Sequence, residues 1–211
     1  MKTCYVFPHV PKCGGTSLLT QLRTSGLTMH EDYESYNGPQ FIDANADTQD
    51  FGRNDLIFGH FPVDRYIGPE FRYIALVRDP LDRVISNYHF HMQWGIDRPE
   101  DTGFFAEFGR EIAKGNVNIV QYIMKAPNMR MVYKNFLRYW GNHRFTLIGR
   151  TDRYGEFAER LNELLGTQVS AGVRERESGR KLDLPQRVID QAHRLLGEEY
   201  HWFNKFVDTA V

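Results

Sequence analysis

Residues 12–17, Lys12-Cys13-Gly14-Gly15-Thr16-Ser17, follow the apolar run Tyr5-Val6-Phe7 and precede Leu18, Leu19 and Leu22. Paired glycines let a backbone approach an anion closely, and the first N–H groups of a helix starting there have no partner of their own. Thr16 and Ser17 add hydroxyl donors, and Lys12 adds a mobile positive charge. Such a set is suited to holding a phosphate. A second set lies in Val77-Arg78-Asp79-Pro80-Leu81-Asp82-Arg83-Val84-Ile85-Ser86-Asn87-Tyr88. Arg78 leaves the end of an apolar run, Pro80 suits the first turn of a helix, and Ser86 lies two turns along it. Arg78 with Ser86 makes a second anion position, so the expected ligand is a nucleotide phosphorylated at both ends.

The first loop differs from the triphosphate pattern G-x-x-x-x-G-K-[ST], because Lys12 stands before the glycines rather than after them. No second apolar strand ending in Asp offers an obvious magnesium carboxylate. Both points weigh against a P-loop small-molecule kinase using Mg-ATP, which stays as one alternative. A nucleotide-binding module without turnover is the other.

The proton chemistry centres on histidine. His60 follows the apolar run Leu56-Ile57-Phe58-Gly59, and an imidazole at a strand end has an ordinary pKa suited to taking a proton from a hydroxyl. Gly59 is read as leaving room for a substrate. His9 lies nearer the loop, and His89 and His91 fall on the helix after Ser86. Glu31 or Asp32 is the runner-up base.

These residues must be positioned by alternating strands and helices. Strands are expected at Tyr5–Pro8, 55–60, 72–78 and 144–149. Helices are expected after Gly15, from Pro80 to about His91, over 104–114, 117–125 and 129–140, at 154–165 closed by Gly166, and from Pro185 to near Phe206. The segment 30–55 is rich in Asp and Glu and reads either as a solvated loop with a short helix or as the border of an acceptor site. Trp94 to Gly103 reads as loop. The alternation implies a mostly parallel sheet with helices on both faces.

At 211 residues the chain fits one domain, 1–211, with a well-formed core. A net charge of −1 excludes the strongly basic surface of a nucleic-acid or membrane-surface protein. Cys4 and Cys13 cannot build a disulfide framework or a zinc cluster. No long apolar run offers a membrane span, and a complete chain starting at Met1 is expected in the cytoplasm.

The two motifs resemble those of the sulfotransferases that use 3′-phosphoadenosine 5′-phosphosulfate (PAPS). Pro11-Lys12-Cys13-Gly14-Gly15-Thr16-Ser17 is similar to the family's 5′-phosphosulfate loop. Arg78-Asp79-Pro80, Arg83, Ser86 and Tyr88 match its 3′-phosphate motif R-D-P-x-x-R-x-x-S-x-Y. Gly179-Arg180-Lys181 resembles the late G-R-K loop that closes over the nucleotide, although Ser178 stands where some relatives have lysine. Ile148–Tyr154 and the Gly59-His60 pair resemble segments of the carbohydrate-type branch, the uronyl and heparan 2-O-sulfotransferases. Cys13 departs from the Thr or Ser common in relatives.

The resemblance implies a three-layer, P-loop-like α/β sulfotransferase fold with a central, mostly parallel sheet. It implies transfer of a sulfuryl group to a hydroxyl of a carbohydrate or other small acceptor, leaving 3′-phosphoadenosine 5′-phosphate (PAP), with no metal required. Lys12, Gly14, Gly15, Thr16 and Ser17 would hold the 5′ end, Arg78 and Ser86 the 3′-phosphate, and Arg180 and Lys181 would clasp it. Lys12 and His60 would be the catalytic pair, and His9 in H-x-P-K would be structural. A long heparan-like acceptor is disfavoured by the near-neutral charge.

Overall fold

Strand β1, Cys4–Pro8, sends Cys4 and Val6 into one apolar cluster and Phe7 into another. A strand with apolar side chains on both faces belongs at the centre of a sheet covered on both sides. The computed structural model describes residues 2–33, 53–126, 129–137, 145–170, 172 and 182–207. In it β1 pairs in parallel with β3, Leu56–Gly59, and with β4, Phe71–Val77. β2, Met29–Asp32, lies parallel to β3, and β5, Phe145–Arg150, lies parallel to β4, giving the order β2-β3-β1-β4-β5.

The residues divide into two compact units, Met1–Arg78 with Val132–Arg176 and Trp202–Val211, and Asp79–Met131 with Glu177–His201. The first contains the sheet. Leu18, Leu19 and Leu22 of α1, Gly15–Leu22, pack on one face with Phe157, Ala158 and Leu161 of α6, Tyr154–Leu165. Phe61, Val63, Tyr66 and Phe71 cover the other. There Phe206 meets Phe145 edge to face, and Tyr133 of α5, Val132–Leu137, lies against Phe203. The result is the expected three-layer α/β arrangement around a parallel sheet.

The second unit is helical. α2, Pro80–Asp97, packs on α3, Phe104–Ala113, and α4, Ile119–Lys125, packs on α7, Gln186–Leu195. Leu81, Val84, Ile112, Ile119, Tyr122 and Ala192 are buried among them. α8 spans Gly197–Val207.

Three elements differ from the sequence expectation. β2 replaces the start of the expected acidic loop. It is an edge strand whose one buried side chain, Asp32, is neutralised by Arg65 at 2.6 Å and by a hydrogen bond from Tyr66. α2 continues past His91 and takes in Trp94 and Gly95. A Cβ at Gly95 would lie 2.5 Å from the Arg110 backbone nitrogen, so this glycine permits close helix packing rather than ending a helix. The C-terminal helix is two, α7 and α8, separated at Leu196. Among the described residues no helix is long and apolar enough to cross a membrane.

Candidate functional site

The order β2-β3-β1-β4-β5 sends the chain leftward from β1 and rightward from it only at β4. Ligands of open α/β sheets bind at the carboxyl ends of the strands flanking such a reversal. The loop after β1 carries Lys12 and Gly14, both in the left-handed region at φ 68° and 80°. Glycine adopts that conformation freely, whereas lysine is strained there and must be held by its surroundings. The turn delivers the chain into α1 with no side-chain cap and no acidic residue in the first turn. Its leading N–H groups therefore face the loop with the positive end of the helix behind them. Gly14 and Thr16 are exposed, and Ser17 is half-buried.

Gly15 is buried for a different reason. A Cβ there would lie 2.1 Å from the ring of His9, so the imidazole occupies the space a side chain would take. His9 Nδ1 is 3.1 Å from His60 Nε2, and one of the two nitrogens must carry the hydrogen. The Tyr33 ring meets His60 edge-on at 4.9 Å, and Phe136 does so at 6.4 Å. Burial pushes the His60 imidazole down to about 4. Burial, then the neighbouring His60 and Lys12, holds His9 well below its ordinary value. Both rings are thus neutral over the physiological range.

The sequence suggested room for a substrate at Gly59, but that space is filled. A Cβ there would fall 1.8 Å from the Asp32 carbonyl oxygen, because β2 pairs with β3 at that point. The two runner-up carboxylates are held by arginines. Glu31 accepts from Arg23 at 2.7 and 2.6 Å, which lowers its pKa, and Asp32 accepts from Arg65.

Arg78 follows β4 across the same reversal. Its Nη1 reaches the Lys12 carbonyl oxygen at 3.4 Å, bringing the guanidinium to the loop after β1. Ser86 belongs to the second unit, in α2, and is 5% exposed, so little of its hydroxyl meets solvent. Around it the rest of the motif is structural. Asp79 caps α2 by accepting from the Leu81 and Asp82 N–H groups, and it also accepts from the Tyr200 hydroxyl. Arg83 is fully buried, 3.6 Å from Glu199, and donates to the Met129 carbonyl. Tyr88 donates to the Val117 carbonyl. Arg180 and Lys181 lie outside the described residues.

Residues 10–148 match the sulfotransferase domain family. The chain belongs to the sulfotransferases. Direct comparison with curated proteins finds no match. Among solved structures, this sulfotransferase chain is similar to mouse sulfotransferase SULT7A1 complexed with PAP. Identity is 15% and the TM-score 0.38, over 81% of this chain and 60% of that one. A sulfotransferase from Alicyclobacillus acidocaldarius is similar at 14% identity and TM-score 0.44, over 96% and 99%. The chain thus spans about 60% of the mouse structure's length.

One residue of this sulfotransferase site gave no signal in the sequence. Tyr133 is fully buried in α5, and its hydroxyl accepts from the Arg78 N–H at 2.9 Å and donates to the Arg78 carbonyl. Its contact is tertiary, and nothing in the local pattern of residues 129–140 marks it out. The residues present fit an anionic group at the loop: a helix start without a side-chain cap, Gly14 in the left-handed region with no side chain, Lys12 within the loop and the Arg78 guanidinium reaching the Lys12 carbonyl.

Proposed function

We propose that this chain transfers a sulfuryl group from PAPS to a hydroxyl on a carbohydrate or other small acceptor. The carrying observation is the uncapped start of α1 behind the Lys12–Gly14 turn, with the Arg78 guanidinium reaching the same loop. PAPS supplies an activated sulfuryl group on a good leaving phosphate. Lys12 and the N–H groups of the Gly14–Ser17 stretch bind the 5′ end and neutralise charge developing on the bridging oxygen. Arg78 and Ser86 bind the 3′-phosphate, and Arg180 and Lys181 close over it. No metal is needed, since the cations are supplied by side chains. The carbohydrate preference rests on the resemblance of Ile148–Tyr154 and Gly59-His60 to the carbohydrate-type branch.

His60 takes the acceptor proton. When its Nε2 carries the hydrogen shared with His9 Nδ1, its Nδ1 is the basic nitrogen. A depressed pKa makes it a weak base, but one that is never blocked by protonation at neutral pH.

The test is a pair of thermal titrations, one with PAP and one with Mg·ATP. A ligand that binds only the folded state raises the melting temperature, by about 2.7 kcal/mol of stability at a hundredfold excess over Kd. A rise with PAP that is lost in Arg78→Ala is expected. A rise with Mg·ATP alone overturns the reading in favour of a kinase. Tight PAP binding without any turnover dependent on His60 would leave a binding module.

A further inference from the structure

Resting on the nucleotide reading above, we propose that Tyr133 is a positioning residue for the donor site. The single phenol oxygen does the work of a strand partner. It accepts the N–H of Arg78 and donates to the carbonyl of the same residue. β4 ends at Val77, so Arg78 is the first residue without a partner strand to satisfy it. Left alone, that peptide would rotate toward water and take its guanidinium with it.

The same oxygen is 3.7 Å from Cys13 Sγ, in the loop after β1. Tyr133 therefore touches both strand ends that flank the sheet's reversal point: the loop holding Lys12 and Gly14, and the residue whose side chain reaches the Lys12 carbonyl. The ring is held in turn by Phe203, at 6.1 Å between centroids. With no exposed surface, the phenol cannot itself bind nucleotide. Its effect passes through the backbone of Arg78, which distinguishes a positioning residue from one that touches the ligand.

Tyr133→Phe keeps the ring and removes the oxygen. Losing a hydrogen bond in a buried setting is worth about a tenfold change in an equilibrium constant. PAP affinity measured by calorimetry is expected to weaken by about that factor. Val169→Ala trims a buried side chain far along the chain in the core under α6 and serves as a matched destabiliser. It should lower the melting temperature while leaving the Kd for PAP within about twofold, since its backbone hydrogen bonds run to Asn162 of α6 and not to the Arg78 peptide. A Tyr133→Phe Kd within twofold of wild type, or an equal loss in Val169→Ala, overturns the positioning role. Wild-type protein that binds no PAP at all overturns the donor reading and this inference together.

Discussion

At the site itself, the pairing of His9 with His60 sets how the protein responds to acid. The folded His60 pKa, about 4, lies below its ordinary value of 6.5, so the unfolded chain binds a proton first as pH falls. Stability contributed by the neutral, buried ring is complete above pH 6.5 and is lost progressively as pH falls toward 4. His9 is depressed for the same reason and adds to the loss. Urea titrations at pH 7.5 and pH 5 should show wild type losing more stability than His60→Gln, which has no proton to take up. If the variant loses as much, the burial of this imidazole is not what governs the acid response. In turnover the acid limb should fall well below the 6.5 of an ordinary imidazole. The strand, turn and helix around 12–17 were legible because their signals are local: an apolar run, paired glycines and a regular leucine spacing. The room ascribed to Gly59 was misread, since the carbonyl that fills it comes from Asp32, on a strand whose polar residues look like loop.

Among the elements, α2 shows how a motif divides between binding and construction. Asp79 caps it, Tyr88 ties it to Val117, and Arg83 is buried against Glu199, whereas only Arg78 and Ser86 are candidates for the nucleotide. Removing one member of a buried ion pair strands the other without compensation. Glu199→Ala should therefore destabilise the protein by about 3–5 kcal/mol in chemical denaturation. The double change Arg83→Met with Glu199→Leu should recover most of that loss, because it leaves no buried charge behind. If the single variant is neutral, Arg83 is satisfied by the Met129 carbonyl and its other neighbours alone. The sequence gives the arginine's spacing but not its partner, which lies more than a hundred residues along the chain. Tyr133 was invisible for the same reason. Helix lengths were read well where apolar spacing was regular, as in α6, and too short in α2, which was ended at about His91 with Trp94 to Gly103 read as loop.

For the molecule as a whole, the near-neutral charge bears on the acceptor. The segment 30–55 is acidic in sequence, yet Glu31, Asp32 and Asp55 are each paired, with Arg23, Arg65 and Lys2. Among the described residues these carboxylates are neutralised in pairs, and a net charge of −1 supplies no basic surplus to guide a polyanion. At physiological salt, where charges are screened beyond about 8 Å, the protein should pass through a heparin column without retention. Retention that needs more than about 0.5 M salt to release would point to a long sulfated or uronate-rich acceptor instead. The parallel alternation was readable from the order of apolar runs. The division into two units was not, because both are assembled from segments distant in sequence.

The placement of β1 at the middle of the sheet carries a consequence for biosynthesis. Tyr5 pairs on one side with Leu56 and on the other with Arg72, so β1 waits for two later strands before it is enclosed. At about 5–20 residues per second, a ribosome needs several seconds to deliver both neighbours. An apolar segment with two open edges until β3 is made, and one until β4 is made, is exposed to other nascent chains in that interval. Yield of soluble protein should therefore depend on holdase chaperones acting on β1, and on translation speed between β1 and β4.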